Sequence, residues 1–203
     1  MKIVQCLLDI SNEAPAGNAT LSSCILGQNK EHLWEERQGQ VVDTIVLHYI
    51  SAIYIDPRRP FDLSLILRIF CDCGVSSHYL IDRMGTVFRL VPEDKKAWHA
   101  GGSVMPAPDT RTMVNGFSVG IELVATPESG FTNEQYASCA LLCRDIERRH
   151  GRTFTYVGHQ DIAGEAAVGL GLRKDVKLDP GPLFNWVFFR GMMSDPSLED
   201  DGE

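Results

Sequence analysis

The chain has 203 residues, 44% of them hydrophobic, which fits one folded domain with a sizeable core. Its 19 basic and 27 acidic residues give a formal net charge of −8, which argues against a nucleic-acid partner because phosphate contact needs a concentrated positive face. No stretch approaches the roughly 18 unbroken apolar residues of a membrane helix, and charge interrupts the apolar start too early for a signal peptide.

The six cysteines include no C-x-x-C pair, so we expect them to stay reduced in a chain without an export signal. Together these features predict a cytoplasmic protein without a membrane partner, and a monomer is the default state. A four-thiolate metal site from Cys71, Cys73, Cys139 and Cys143 is an alternative. It is disfavoured because buried free cysteines usually behave as small hydrophobic residues.

The first predicted elements are a surface segment and a central strand. Residues 1–40 mix Gly, Asn, Ser and charged residues with short apolar pieces, which predicts a segment that wraps the surface rather than a separate domain. From residue 41, the run VVDTIVLHYI is almost continuously apolar and β-branched, as in a strand covered on both faces. This strand belongs in the middle of a sheet, with His48 near its C-terminal end.

Helix and strand patterns then alternate. Apolar residues at helical spacing over 61–73, with Gly74 just beyond, predict a helix ended by glycine. The stretch SSHYLIDRMGTVFRLV predicts a hairpin that turns at Gly85. Residues 95–116 are rich in Pro, Gly and polar residues, as in a long functional loop. Another strand follows over 117–125.

The C-terminal third contains the clearest helix signal. Thr132 begins this helix, with Gln135 as its capping-box partner. The stretch TFTYVGHQDI predicts a short strand that leads into a loop, residues 164–176 a flexible connection, and Pro182 the start of a final amphipathic helix. The pattern therefore indicates one α/β (α+β) domain with a central mixed β-sheet flanked by helices.

These elements divide the chain into three parts. Residues 1–40 form the wrapping segment and residues 41–190 the main domain. Residues 191–203, which include the acidic stretch SDPSLEDDGE, are predicted to form a disordered tail because they carry few large apolar side chains.

Three side chains that are distant in the sequence suggest a metal site. His48 and His159 lie at predicted strand ends, and Asp179 is held in front of Pro-Gly-Pro. Each alone has an ordinary explanation, as a hydrogen-bonded buried histidine or as a turn residue. Their joint placement favours a hydrolytic zinc site, in which two His and one carboxylate leave a fourth position for water.

A glutamate and a lysine complete the predicted catalytic chemistry. Glu122 lies in an otherwise apolar strand, and burial of an unpaired charge is costly enough that such a residue has a partner or a task. Beside a metal it can take a proton from water; the alternative is an ion pair, for instance with Lys177. Lys177 shares a face with Asp179 and is predicted to stabilise an oxyanion, or else to be a solvated surface residue.

Other polar residues are assigned to the groove or to the scaffold. Trp98 and His99, in the long loop, offer stacking and hydrogen bonds to a polar ligand such as a sugar, and Asn115 is expected to line the same groove. His78 is interpreted as structural, whereas His32 and His150 are expected to be exposed.

The motifs TIVLHYIS, SSHYLIDRMGTVFRLV, AWHAG, NGFSVGIEL, FTNEQY, VGHQDIA and KLDPGPLFNW occur in this order. As an ordered set they resemble the zinc-dependent N-acetylmuramoyl-L-alanine amidases, a family that includes anhydromuramyl-peptide amidases and is related to peptidoglycan recognition proteins. The resemblance runs from about 41 to 186. It implies a Zn²⁺ cofactor and hydrolysis of the amide between N-acetylmuramic acid, or its anhydro form, and L-alanine of peptidoglycan or its fragments.

The resemblance also implies roles for residues. Matched position by position, it places metal ligands at His48, His159 and Asp179, and catalytic residues at Glu122 and Lys177. The Arg-Lys pair common before Asp-Pro-Gly is here Val176-Lys177, with Arg173-Lys174 upstream. A basic contact to substrate is therefore expected to have moved.

Two other functions remain open at this point. A non-catalytic module that binds peptidoglycan or muropeptides is one, although a pure binder has no physical reason to keep the full His, His, Asp and Glu set. A metallopeptidase that cuts within the stem peptide is the other. The substrate is either intact cell wall or soluble recycled fragments, and the missing export signal favours the fragments.

Overall fold

The computed structural model describes residue 1 and residues 3–11 and 20–198. The strands, in chain order, are β1 (Ile3–Gln5), β2 (Trp34–Glu36), β3 (Thr44–Ile50), β4 (Tyr79–Ile81), β5 (Val87–Arg89), β6 (Lys95–Ala97), β7 (Ser118–Val124) and β8 (Thr155–Gly158). The helices are α1 (Thr20–Gly27), α2 (Leu63–Cys73), α3 (Asn133–His150), α4 (His159–Ile162), α5 (Glu165–Gly169) and α6 (Trp186–Met193), with a 3₁₀ turn at Val114–Gly116.

Six strands form the central sheet in the order β1-β5-β4-β7-β3-β8. Only the β4–β5 pairing within it is antiparallel, so the sheet is mixed as predicted. One hydrophobic cluster joins the sheet to α3 and α6, and another joins it to α1 and α2. The central mixed sheet with flanking helices is confirmed, and β3 lies between β7 and β8 as expected for a strand covered on both faces.

Several predicted elements are confirmed in detail. Helix α2 ends at Gly74, whose φ of 63° allows the left-handed cap, and the β4–β5 hairpin turns at Gly85 with φ 80°. At the start of α3, the Thr132 hydroxyl accepts from the Gln135 backbone N–H and the Gln135 side chain accepts from the Thr132 N–H. These local signals therefore agree with the final fold.

The N-terminal segment is integrated more deeply than a surface wrap. Strand β1 extends the central sheet alongside β5, α1 packs on α2, and β2 pairs with β6. Leu8 and Ile25 are fully buried. The short apolar pieces of this segment are thus part of the core, because each one finds its partner far away in the sequence.

Three other predictions need correction. The predicted loop over 95–116 starts with a strand, β6, because β2 supplies its partner. The residues after β8 form a helical turn, α4, and the connection that follows contains α5. The last helix begins at Trp186 rather than at Pro182, because the Asn185 side chain caps it by accepting from the Phe188 N–H.

The predicted tail also begins later than residue 191. Helix α6 continues to Met193, and the Arg144 guanidinium donates to the backbone carbonyls of Asp195 and Leu198. The rest of the predicted tail, residues 199–203, lies outside the described residues. Among the helices that the structure describes, none has the length and apolar character needed to cross a membrane.

Candidate metal centre and active site

The three predicted metal ligands meet at one end of the central sheet. Asp179 Oδ2 lies 3.0 Å from His48 Nδ1 and 3.1 Å from His159 Nδ1, and one potential ligand atom from each residue falls within 4.8 Å of the others. No other group of three His, Cys, Asp or Glu residues in the described chain is arranged to hold a metal. Two imidazole nitrogens and a carboxylate oxygen form a donor set that suits zinc.

Strand pairing explains why the two histidines are neighbours. Leu47 of β3 pairs with Gly158 of β8 in parallel register, and His48 and His159 each follow one residue later. Both imidazoles therefore lie near the carboxyl ends of adjacent parallel strands. In open α/β sheets this edge is where ligands usually bind.

A glycine brings Asp179 to the histidines. A Cβ at Gly158 would lie 2.7 Å from Pro180 Cδ, so only glycine lets the turn at Pro180 pack against the end of β8. The Gln160 N–H donates to the Asp179 carbonyl at 2.8 Å and fixes this contact. The carboxylate is therefore positioned by backbone packing as well as by its contacts with the two imidazoles.

Burial and neighbouring groups leave His48 and Asp179 in the forms that bind metals. Burial, helped by the neighbouring His159, lowers the pKa of His48 to about 4, although Asp179 opposes the shift. Burial alone would raise the pKa of Asp179, but the neighbouring imidazoles of His159 and His48 outweigh it and hold that pKa far below its usual range. His48 is thus neutral and Asp179 ionised near pH 7.

Glu122 lies beside the ligands, opposite His48 in the β3–β7 register. Its Oε2 is buried and has no hydrogen-bond partner among the described residues. Burial raises the pKa of Glu122 well above its ordinary value and the charge of Asp179 adds to the effect, whereas Lys177 opposes it. In the part of the chain that the structure describes, no ion pair joins Glu122 to Lys177, so the predicted alternative role is not supported. A buried carboxyl with a raised pKa is suited to proton transfer.

The predicted site residues line two adjoining cavities. One, of about 190 Å³, is bordered by the three ligands together with Glu122, Lys177, Trp98 and His99. The other, of about 220 Å³, is bordered by Trp98, His99, His159, Lys177, Asn115 and Arg173. The ligands therefore lie in an accessible groove, and the displaced Arg173 borders the same groove.

The groove residues differ in what their polar atoms contact. The Trp98 indole N–H donates to Glu35 at 3.1 Å, and the Lys30 ammonium lies 4.2 Å above the ring. His99 is buried and bonds within the protein, while Asn115 Oδ1 accepts from two backbone N–H groups. Residues of the N-terminal segment thus hold one wall of the groove, which the sequence analysis did not anticipate.

The remaining histidines are part of the scaffold. The Gly120 N–H donates to His78 Nδ1 at 3.0 Å, and His78 Nε2 lies 3.1 Å from the Lys95 carbonyl and 3.0 Å from the Arg37 guanidinium, which confirms its structural role. The expectation that His32 and His150 are exposed is wrong. Both are half-buried: His32 stacks on Trp34, and His150 Nε2 lies 2.8 Å from a carboxylate oxygen of Glu93.

Comparison with known sequences adds to this geometry. A profile of the family described as N-acetylmuramoyl-L-alanine amidase matches residues 38–182. The 1,6-anhydro-N-acetylmuramyl-L-alanine amidase AmpD of Escherichia coli (strain K12) is 40% identical over 151 residues, which cover 72% of this chain and 73% of that protein. AmpD of Haemophilus influenzae is 35% identical and covers 76% of this chain and 84% of its own length.

Solved structures agree with the sequence matches. A crystal structure of a Se-Met derivative of AmpD aligns with a TM-score of 0.61 at 30% identity, over 79% of this chain and 90% of that one. The amidase AmiD from E. coli, in complex with anhydro-N-acetylmuramic acid-L-Ala-D-gamma-Glu-L-Lys, aligns with a TM-score of 0.58 at 28% identity, over 78% and 60% of the two chains. Most of this chain is therefore shared, in sequence and in fold, with the N-acetylmuramoyl-L-alanine amidase family, and the protein belongs to that family.

Proposed function

We propose that the protein is a zinc-dependent amidase that hydrolyses the bond between anhydro-N-acetylmuramic acid, or N-acetylmuramic acid, and the L-alanine of soluble muropeptides. The observation that carries this proposal is the cluster of His48, His159 and Asp179 with the unpartnered Glu122 Oε2 beside it. In a cluster that only stabilises the fold, a buried carboxylate oxygen is expected to have a hydrogen-bond partner. A buried carboxylate oxygen without one is instead expected in a site that transfers a proton.

The residues present fit a zinc ion. His48, His159 and Asp179 would hold it, since imidazole nitrogen and carboxylate oxygen are usual zinc donors and three protein ligands leave a position open. Zinc in such a site supplies Lewis-acid polarisation of a carbonyl group and acidifies water.

Glu122 is the group that moves the proton. Its carboxylate takes a proton from the attacking water as the C–O bond forms, and gives it to the L-alanine nitrogen as the C–N bond breaks. The raised pKa of Glu122 brings its proton affinity closer to what both steps need at neutral pH. One carboxyl group therefore serves as base and then as acid, and it ends the cycle unchanged.

Lys177 stabilises the negative charge that develops on the carbonyl oxygen. It borders the cavity that contains Glu122 and the ligands, and its charge acts on the pKa values of both Glu122 and His48. A preorganised donor of this kind is typically worth a few kcal/mol in the transition state.

The relatives support the substrate class. The matching E. coli and H. influenzae proteins are named as 1,6-anhydro-N-acetylmuramyl-L-alanine amidases, and the aligned AmiD structure contains an anhydromuramyl tripeptide. Trp98 offers a flat face for the sugar, and Arg173 and Lys177 offer positive charge for carboxylates of the stem peptide.

The proposal extends to the cellular location and the oligomeric state of the protein. All six cysteines are free, which supports a reducing compartment such as the cytoplasm, where recycled fragments are soluble. A monomer is the proposed active unit, since the three ligands, Glu122 and Lys177 border one cavity of a single chain. Cell fractionation and light scattering of the purified protein test these two points.

Mass spectrometry of digested muropeptides tests the reaction. The protein is incubated with anhydro-N-acetylmuramyl-L-Ala-D-γ-Glu-L-Lys and, separately, with purified sacculi. We expect the soluble substrate to yield the free anhydro sugar and the intact tripeptide, with cleavage lost after chelation and restored by zinc. Cleavage inside the stem peptide would instead reveal a peptidase, and binding without any cleavage would reveal a binding module.

A further inference from the structure

The loop at residues 98–101 contacts both histidine ligands on the side away from the metal cluster. His48 Nε2 lies 3.1 Å from His99 Nδ1, and His159 Nε2 lies 3.3 Å from the Ala100 carbonyl oxygen. A neutral imidazole binds a metal through the nitrogen that has a lone pair, while its other nitrogen carries the proton. The groups facing the two Nε2 atoms therefore decide which nitrogen is free to bind.

For His48 the direction of each hydrogen bond can be followed through three residues. The Ser118 hydroxyl donates to the Val114 carbonyl at 2.7 Å, so its single hydrogen is used. It can then only accept from His99 Nε2, which lies 3.2 Å away. His99 is therefore protonated on Nε2, and its Nδ1 accepts from the Nε2–H of His48. The Nδ1 lone pair of His48 is left pointing at the cluster.

For His159 the same result follows in one step. The Ala100 carbonyl can only accept, so His159 Nε2 donates to it. The Nδ1 atom of His159 therefore also keeps its lone pair. Both ligands have the same tautomer, set by consecutive residues of one loop.

The carboxylate in the cluster makes this control necessary. Asp179 Oδ2 is within 3.1 Å of both Nδ1 atoms, and an ionised carboxylate can only accept. Acting alone, Asp179 would favour a proton on each Nδ1 and so block the lone pairs that a metal needs. The loop at residues 98–101 opposes that preference from the far side of each ring.

Two further residues hold this loop in place. Asn115 Oδ1 accepts from the backbone N–H groups of His99 and Ala100, at 3.2 and 2.7 Å. Gly120 leaves room for the ring of His99, because a Cβ there would lie 2.5 Å from His99 Cγ. A glycine inside a strand often marks such a close approach.

We propose that His99 and Asn115 are positioning residues, which preset the zinc-binding tautomer of His48 and His159 before the metal arrives. This inference rests on the proposed zinc site and deepens it. It gives His99 and Asn115 a role besides that of lining the groove, where both border a cavity.

Zinc affinity of matched variants tests the proposal without any substrate. His99→Leu removes the acceptor for His48, whereas His99→Gln keeps a carbonyl acceptor and an amide donor. We expect about 10-fold to 100-fold weaker zinc binding for the leucine variant, the usual size of such outer-shell effects, and substantial recovery with glutamine. His150→Gln is the control, because the His150 ring contacts Glu93 and Phe154 rather than the ligands or His99; its zinc affinity should match wild type.

Thermal unfolding of the metal-free variants separates positioning from folding. If His99→Leu does not fold, Ser118→Ala is used instead, since it removes the acceptor for His99 Nε2, together with the hydroxyl's own bond to the Val114 carbonyl, and should give a smaller loss in the same direction. The proposal is overturned if the folded variant binds zinc as tightly as wild type, or if glutamine and leucine weaken binding equally.

Nitrogen-15 NMR of the imidazoles gives a direct readout in the metal-free protein. We expect the proton of His48 and of His159 on Nε2 in wild type, and a shift of the His48 proton to Nδ1 in His99→Leu. A wild-type His48 protonated on Nδ1 would overturn the proposal. Because neither measurement needs cleavage, an inactive protein could still pass both tests, and an active amidase could still fail them.

Discussion

Glu122 supports the sharpest prediction at the scale of single residues. Replacement by glutamine keeps the shape of the side chain but removes the proton acceptor, so amidase turnover should fall by about 10²-fold to 10⁴-fold. Zinc content should stay the same, and thermal stability should not fall, because burial already disfavours the charged form. Steady-state kinetics on the anhydromuramyl tripeptide, with zinc analysis of the same sample, check this.

The matched control is Glu128→Gln, which alters an exposed glutamate outside the groove and should leave turnover unchanged. Wild-type turnover in a zinc-loaded Glu122→Gln protein would remove the proton-transfer role from the mechanism.

The sequence predicted the residues of the site better than their contacts. His48, His159 and Asp179 stood out because metal-binding side chains followed strand patterns or preceded a rigid turn. The roles of His99 and Asn115 could not be read in the same way. Their hydrogen-bond partners are Ser118, His48 and two backbone groups, and such partners are set by how the loop packs on the sheet.

At the scale of elements, the packing of β8 against the turn at Pro180 should control metal binding. Gly158→Ala places a Cβ about 2.7 Å from Pro180 Cδ, so the turn that carries Asp179 must shift. We expect weaker zinc binding and a loss of about 1–3 kcal/mol in the free energy of unfolding, as for other overpacked sites. Zinc titration and thermal unfolding measure the two effects.

Gly169→Ala is the control, since no heavy atom lies within 4 Å of its added Cβ. It should bind zinc like wild type. If Gly158→Ala binds zinc as tightly as wild type, the packing of β8 against the turn does not control the position of Asp179.

Elements with strong local signals were predicted, and elements that depend on distant partners were missed. Helix α3 carries its own capping box, and the β4–β5 hairpin its own glycine turn. Strands β1 and β2 have three residues each and exist because β5 and β6 pair with them. Short strands of this kind have little intrinsic preference, so local patterns do not reveal them.

At the scale of the whole molecule, one buried ion-pair network should govern acid stability. Glu93 is 6% exposed, and its carboxylate accepts hydrogen bonds from the two terminal guanidinium nitrogens of Arg149, each at 2.8 Å. His150 and Tyr79 are further partners of this carboxylate. Burial alone would raise the pKa of Glu93, but hydrogen bonds from Arg149 and Tyr79 outweigh it and lower the pKa to about 2.

The sign of the pH effect follows from this depressed pKa. The folded state holds Glu93 ionised where the unfolded chain would begin to protonate it, so the contribution is complete above about pH 4.5 and is lost as pH falls toward 2. Glu93→Gln should lower the free energy of unfolding by on the order of 3 kcal/mol at pH 7. It should also make the free energy of unfolding depend less on pH between about 4.5 and 2. Urea unfolding at several pH values measures the difference.

Glu134→Gln, at an exposed position of α3, serves as the comparison and should keep the wild-type slope. Parallel curves for wild type and Glu93→Gln would contradict the assignment of acid sensitivity to this network.

The overall class of the protein was predictable from the sequence, but its full extent was not. Alternating strand and helix patterns gave one domain with a mixed central sheet. The N-terminal segment was missed as a part of that domain, although Lys30 and Glu35 hold the groove residue Trp98. Such contacts connect positions more than sixty residues apart, beyond the reach of any local pattern.

Anomalous diffraction at the zinc absorption edge, on crystals grown with zinc, tests the central claim most directly. We predict one strong peak at the end of the central sheet, at zinc bonding distances of roughly 2.0–2.2 Å from His48 Nδ1, His159 Nδ1 and an Asp179 carboxylate oxygen. A peak bound to other residues, or zinc-saturated crystals without a peak at this cluster, would contradict the account.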